Sequence, residues 1–151
     1  MGSPAAGIEL LKDRTQRIDA SSGQPLLFDA TALYGLHGFT AERGRVSCLL
    51  PVTDRVRNVY GTLHGGCMAT LVDTVGSAAL VTVSERSGMS LNINVNYLSP
   101  VPVGGTVVVE AEVVKVGKTI GTINILLRDQ ANCRVVAQAS FGRALRGVRS
   151  T

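Results

Sequence analysis

The sequence predicts an α+β fold in which a curved antiparallel sheet wraps one long central helix. Two observations carry this expectation. Residues 63–83 contain no proline and are apolar nearly all round the helical wheel, so a helix there must be buried rather than laid on a surface. Four strand-like stretches follow it, 89–98, 106–116, 119–128 and 133–145, punctuated by Gly104-Gly105, Gly117-Lys118 and Gln130-Ala131-Asn132. Links this short imply an antiparallel meander, and a lone apolar helix ahead of it implies a sheet curled around that helix.

The remaining elements follow in chain order. Between residues 8 and 20, Ile8, Leu10, Leu11 and Ile18 alternate with charges at Glu9, Lys12, Asp13, Arg14, Arg17 and Asp19, which suits a modest surface helix closed by Ser21-Ser22-Gly23-Gln24-Pro25. We expect residues 1–35 to form an N-terminal extension and residues 36–151 the main domain. Residues 38–51 read as a strand, with Phe39, Val46, Cys48 and Leu50 sharing a parity around the turn-like Glu42-Arg43-Gly44. The stretch 89–98 alternates cleanly. Met89, Leu91, Ile93, Val95 and Tyr97 share one face, expected to meet a core, and Ser90, Asn92, Asn94 and Asn96 share the other.

A chain of 151 residues fits one domain. With 45% hydrophobic and 17% charged residues it is not a disordered chain, and its apolar runs are too short to span a bilayer, so a soluble globular protein is expected. Cys48, Cys67 and Cys133 stand far apart without a CxxC pair, which encodes neither a disulfide framework nor a metal site. A reducing compartment follows, with the cytoplasm the expected location and an organelle left open. The net charge of +4 comes from scattered basic residues apart from Arg143, Arg146 and Arg149. That is no nucleic-acid stripe, and the absence of Trp removes the best stacking platform for single strands. An anionic small molecule is the better-sized partner.

Chemistry concentrates at the start of the long helix, in Asn58-Val59-Tyr60-Gly61-Thr62-Leu63-His64-Gly65-Gly66. Two glycines in the first turn of a helix cost about 1 kcal/mol each relative to alanine. They let a ligand approach free backbone N–H groups, and a helix N-terminus suits an oxyanion. They would equally admit a neighbouring backbone. Along the helix Thr70, Asp73, Thr74 and Ser77 fall on one stripe with Asp73 the only charge. A solvent face would normally carry several Lys, Glu or Arg, so the stripe reads as a pocket wall or subunit contact, the alternative being a lightly solvated face. A carboxylate desolvated in such a wall is a stronger base than one in water. Asp73 lies nine residues after His64, about 13 Å along the axis at ~1.5 Å per residue. One reacting carbon cannot touch both ends of that span in one chain, so a site that uses both takes them from two antiparallel helices of a two-fold dimer.

Asn58, Thr62-Leu63-His64-Gly65-Gly66, Asp73 and Gly88-Met89-Ser90-Leu91-Asn92-Ile93-Asn94-Val95-Asn96-Tyr97-Leu98-Ser99-Pro100 resemble the hotdog-fold acyl-CoA thioesterases of the PaaI-like, thioesterase-superfamily-member-2 type, over residues 36 to 145 in order and spacing. The resemblance implies a hotdog domain that hydrolyses acyl-CoA to a carboxylic acid and CoA. By it, Asn58 and Gly65 polarise the thioester carbonyl, a partner subunit's copy of Asp73 activates water as general base or attacks directly, Ser90 positions that water, and His64 shapes the loop. It makes Asn92 a CoA contact and lays the stretch from Tyr97 to Pro102, with Ser99 and Pro100, along the pantetheine. Lys115, Gly117, Lys118 and Thr119 fall along the nucleotide, and the two lysines meet its phosphates as point charges. A dimer of dimers, no metal and no cofactor beyond the CoA of the substrate are also implied.

Two rivals compete. Cys67, three residues from His64 near a helix N-terminus, could be a nucleophile, although it has no evident orienting partner. A non-catalytic acyl-CoA binding or sensing module on the same fold is the other, against which the carboxylate at Asp73 argues.

Overall fold

The computed structural model describes residues 1–16, 27–86 and 88–146. The Arg17, Ile18 and Asp19 end of the expected N-terminal helix, its closing segment 21–25 and Arg149 lie outside them. The elements in chain order are α1 (Pro4–Gln16), α2 (Phe28–Ala32), β1 (His37–Glu42), β2 (Arg45–Pro51), α3 (Gly65–Val81), β3 (Ser90–Tyr97), β4 (Thr106–Val116), β5 (Ile120–Asp129) and β6 (Val135–Ala144). The architecture is the expected one, a six-stranded antiparallel sheet around α3.

The sheet runs β1-β2-β4-β5-β6-β3. Residues 38–51 are therefore a hairpin rather than one strand. Gly44, at φ +81°, makes the reversal that the Glu42-Arg43-Gly44 signal marks. The meander extends only over β4-β5-β6, because β3 pairs with β6 and forms an edge of the sheet. The link from β3 to β4 crosses under the start of α3 instead of turning back on itself. Val101 is buried there, its carbonyl accepts the Leu63 N–H at 2.9 Å, and Thr62 bridges Pro102.

The apolar parity of each inner strand faces α3. Val46, Cys48 and Leu50 of β2, Val107, Val109 and Ala111 of β4, Ile123, Ile125 and Leu127 of β5, and Ala137, Ala139 and Phe141 of β6 form one core with Leu71, Val72, Val75 and Ala79 of the helix. Gly76 sets the closest approach of helix to sheet. A Cβ there would stand 2.7 Å from Phe141 Cδ1, so any side chain would push α3 off the sheet.

Two departures bear on the site. The apolar face of β3 does not meet this core: Met89, Leu91, Ile93 and Tyr97 are exposed, and only Val95 is partly covered. The alternation states which side chains share a face and not what covers them, and β3, an edge strand, runs beside α3 with both its ends touching the helix while most of its apolar side chains stay outside the core. The N-terminal segment, for its part, is seated along α3. Leu11 is fully buried, and the Cβ positions of Gly2 and Gly7 fall on the backbone of residues 78–84, so α1 runs antiparallel to α3 in close backbone contact.

Candidate active site

The approach to α3 is a side-chain-built turn. Asn58 Oδ1 accepts the N–H groups of Tyr60 at 2.9 Å and Thr62 at 3.1 Å, while Nδ2 donates to Thr62 Oγ1 at 2.8 Å. An amide carries two such hydrogens, so one remains outside the turn. His64 then caps the helix from an extended backbone, its Nδ1 accepting the Gly66 N–H at 2.8 Å. A ring nitrogen used this way carries no proton, so His64 presents only the opposite nitrogen as a donor. The Gly65 N–H, first donor of α3, has no partner among the described residues. Tyr97 closes over this point. Its hydroxyl donates to the Gly65 carbonyl at 3.1 Å, and a Cβ on Gly65 would lie 3.4 Å from its ring. That is ordinary contact with a side chain, and no neighbouring backbone approaches Gly65 among the described residues, so the structure does not bear out the close-backbone reading of this glycine.

Two turns further on, the polar stripe is no solvated face, since Thr74 and Ser77 are only 3% and 6% exposed. Thr70 and Ser77 return their hydroxyls to the carbonyls of Gly66 and Asp73, and the buried Thr74 hydroxyl has no partner among the described residues. Asp73, half-buried, is met from β3 by Ser90, whose Oγ donates to Oδ1 at 2.6 Å. From β6 comes Arg143, which donates through Nη1 to Ser77 Oγ and through Nη2 to the Gly88 carbonyl at 2.8 Å. Burial draws its guanidinium down from the usual value, and the nearby Asp73 charge opposes that shift. Arg143 escaped sequence reading. Its signal was parity: residues 137, 139, 141 and 145 are apolar and buried, and Arg143 is the charge among them.

The structure brings Asp73 to Ser90 and gathers Asn58, His64, Gly65 and Tyr97, but it does not bring the two groups together. Gly65 and Asp73 sit eight residues apart on one helix, about 12 Å at ~1.5 Å per residue. Strand register separates the expected CoA contacts in the same way. Ser90 lies opposite Arg143 and Ile120 opposite Ala144, whereas Tyr97 lies opposite Ala137. At roughly 3.3 Å per residue the two ends of β6 are more than 20 Å apart. Asn92, Lys115, Gly117, Lys118 and Thr119 therefore share the Asp73 end, and Ser99 and Pro100 share the Gly65 end. A hollow of about 460 Å³ bounded by Leu91, Asn92, Ile120, Thr122 and Phe141 adjoins the former. Arg86 steadies that hairpin tip by donating to the Gly117 and Lys118 carbonyls. A wider concavity of about 830 Å³ opens on the far face of the sheet, among Asn94, Glu110, Glu112, Asn124 and Gln138, and none of the expected site residues lines it.

Cys67 is not poised for attack. Its thiol is buried, donates to the Ala32 carbonyl at 3.0 Å, and burial pushes it up to about 12, so it stays protonated at neutral pH. Cys67→Ala is expected to keep most of the hydrolytic activity, measured as thiol release from an acyl-CoA. A loss as deep as that of an Asp73 variant would restore the thiol as nucleophile.

The chain's likenesses to known proteins lie in one group. It is 37% identical over 107 residues to acyl-coenzyme A thioesterase 13 of Homo sapiens, covering 70% of this chain and 76% of that protein. Its structure superposes on thioesterase superfamily member 2 from Mus musculus with a TM-score of 0.80 at 28% identity, over 97% of this chain and 100% of that one. A hypothetical thioesterase from Streptococcus pneumoniae, solved with coenzyme A, matches with a TM-score of 0.68 at 25% identity, over 76% and 87% of the two chains. Residues 60–135, which run from the turn before α3 through β3, β4 and β5, match the model of the thioesterase superfamily, and the chain belongs to that family.

Proposed function

We propose that this protein hydrolyses acyl-CoA thioesters, with water activated by Asp73 at a site completed by a second copy of the chain. The observation that carries the reading is the Ser90–Asp73 hydrogen bond of 2.6 Å, which sets an exposed hydroxyl against a half-buried carboxylate. Asp73 takes a proton from water held against Ser90. The water oxygen attacks the thioester carbon, whose oxygen is polarised by the Gly65 N–H and the Asn58 amide of the partner, and CoA leaves as the thiolate. Because Gly65 and Asp73 are too far apart in one chain, a two-fold arrangement of antiparallel α3 helices supplies one from each. The free edge of β3 with exposed Met89, Leu91 and Ile93 supports pairing there. We read two such dimers as the assembly.

CoA would run between the two ends that β6 separates, with Tyr97, Ser99 and Pro100 of one chain beside Asn92 and the segment Lys115, Gly117, Lys118 and Thr119 of the other. The relative solved with coenzyme A supports this class of ligand. Neither a metal nor a further cofactor enters the reaction as we read it. Residues 36–151 form the hotdog unit and the residues before them an extension seated on α3. No described helix is long and apolar enough to cross a membrane. The three free cysteines favour the cytoplasm.

The test of the function is thiol release from a panel of acyl-CoA esters, where no turnover of any ester would leave the binding-module reading in its place. The nucleotide end has its own test. Lys115→Ala and Lys118→Ala should raise KM for CoA esters more than they lower kcat, because phosphate contacts remote from the reacting carbon hold ground and transition states alike. Equal KM values for CoA and pantetheine esters in the wild type would remove the nucleotide from this hairpin.

A further inference from the structure

We propose that Arg143 is a positioning residue for the Asp73–Ser90 pair, bolting the helical turn that carries the carboxylate to the segment that carries the hydroxyl. The two reacting groups belong to different elements, α3 and β3, and a single hydrogen bond between them would not fix their separation through a reaction. Arg143 bridges those elements from behind. One arm reaches Ser77 Oγ, which itself donates to the Asp73 carbonyl at 2.6 Å. The other reaches the Gly88 carbonyl at 2.8 Å, two residues before Ser90. Ser77 therefore accepts from Arg143 and donates to the Asp73 backbone, which explains a hydroxyl kept 6% exposed on the stripe. Gly88 fits the bolt closely. A Cβ there would fall 1.4 Å from the Ala144 carbonyl oxygen, so only glycine brings its carbonyl to this strand end.

The fork explains the residue type. A planar guanidinium donates along two diverging directions at once, whereas a lysine ammonium on a flexible stem reaches both acceptors poorly. The charge also lies where it has a use, since Asp73 is the carboxylate that favours it. Arg14 of α1 is close enough for its own charge to act against Arg143, and Asp29 of α2 holds it at 2.9 Å. The N-terminal segment thereby keeps that second cation paired beside the site.

This inference rests on Asp73 acting in hydrolysis, so Asp73→Asn is measured beside Arg143→Ala and Arg143→Lys in the full-length protein, with oligomeric state checked for each. Arg143→Ala is expected to lower kcat on the order of 10- to 100-fold with KM for the acyl-CoA within about threefold, as for a misplaced reacting group. Methylguanidinium added to Arg143→Ala should restore kcat at least about fivefold and methylammonium should not, because only the former presents the fork. Arg143→Lys should retain an intermediate kcat. Folded Arg143→Ala with wild-type kcat, or with a loss that methylguanidinium leaves untouched, overturns the proposal. Should Arg143→Ala fail to fold, Arg143→Lys decides alone: a wild-type kcat overturns the role and a reduced kcat at unchanged KM supports it. Inactive Asp73→Asn beside unaffected Arg143 variants defeats this proposal only, whereas active Asp73→Asn defeats the catalytic reading and this one with it.

Discussion

Asp73→Asn is expected to lower kcat by ~10²–10⁴, the usual worth of general-base assistance, while the fold, the assembly and the affinity for a non-hydrolysable acyl-CoA analogue survive. Asparagine keeps the shape of aspartate. Its amide oxygen can still accept the Ser90 hydroxyl that Oδ1 accepts at 2.6 Å. What it loses is the capacity to take a proton from water. A carboxylate that attacked the thioester directly would be missed at least as much, so the substitution tests the need for the group rather than its mode of action. Ser90→Ala should cost less, since water can still be deprotonated without its second anchor. The measurement is steady-state thiol release on the best ester, with circular dichroism and sedimentation on the same preparation. Activity within about tenfold of wild type would assign Asp73 no catalytic part and would favour a binding module, because removal of a base costs more than that.

The second large effect is a recovery. Asn58→Asp retains the Oδ acceptor that orders the turn at Tyr60 and Thr62 but removes the amide donor, and loss of an oxyanion donor typically costs ~10²–10³ in kcat. Neither Asn58→Asp nor Asp73→Asn should then turn over appreciably alone. On the proposed two-chain site, their mixed dimer pairs the intact Asn58 of one chain with the intact Asp73 of the other. Equal mixing with full subunit exchange makes half the dimers mixed, each with one intact site of two, so activity should rise to about a quarter of wild type. The check is to co-refold the two variants and assay before and after. Activity that stays at the sum of the separate variants would place both groups within one chain and contradict the helix spacing.

How much of this was legible beforehand differs from element to element. Helix α3 and the strands that follow it declare themselves through period and punctuation, and their ends fall within about two residues of the expected ones, a usual margin for helix and strand ends. The stripe around Asp73 was readable because one charge among small hydroxyls on an apolar helix has few other uses. Pairing order was not, since the alternation in β3 states which side chains share a face but is silent on which strand lies next to it. The short link before β4 suggested a hairpin, and the buried Val101 shows why the chain crosses instead. Arg143 was hidden because its partners, Ser77 and Gly88, stand 66 and 55 residues away in sequence. The turn built by Asn58 was visible as a glycine-rich approach, but not the hydrogen bonds that close it. The thiol of Cys67 was ambiguous until its burial was known.

On the proposed two-chain assembly, the unpaired rim of β3 also bears on the life of the chain before it pairs. A newly folded subunit presents a row of free backbone donors and acceptors flanked by Met89, Leu91 and Ile93, all exposed. Such an edge takes any extended segment that reaches it. A second copy seated there, as proposed, and an aggregate compete for the same hydrogen bonds, and the pleat offers little to tell them apart. Asn92, Asn94 and Asn96 on the alternate face carry no charge to repel a stranger. The irregular register between Ser90 and Asn92 blunts one end of the edge, and on the proposed assembly the rest depends on speed of encounter, so that the subunit is safest where its own kind is abundant and most exposed to misassociation when synthesised sparsely.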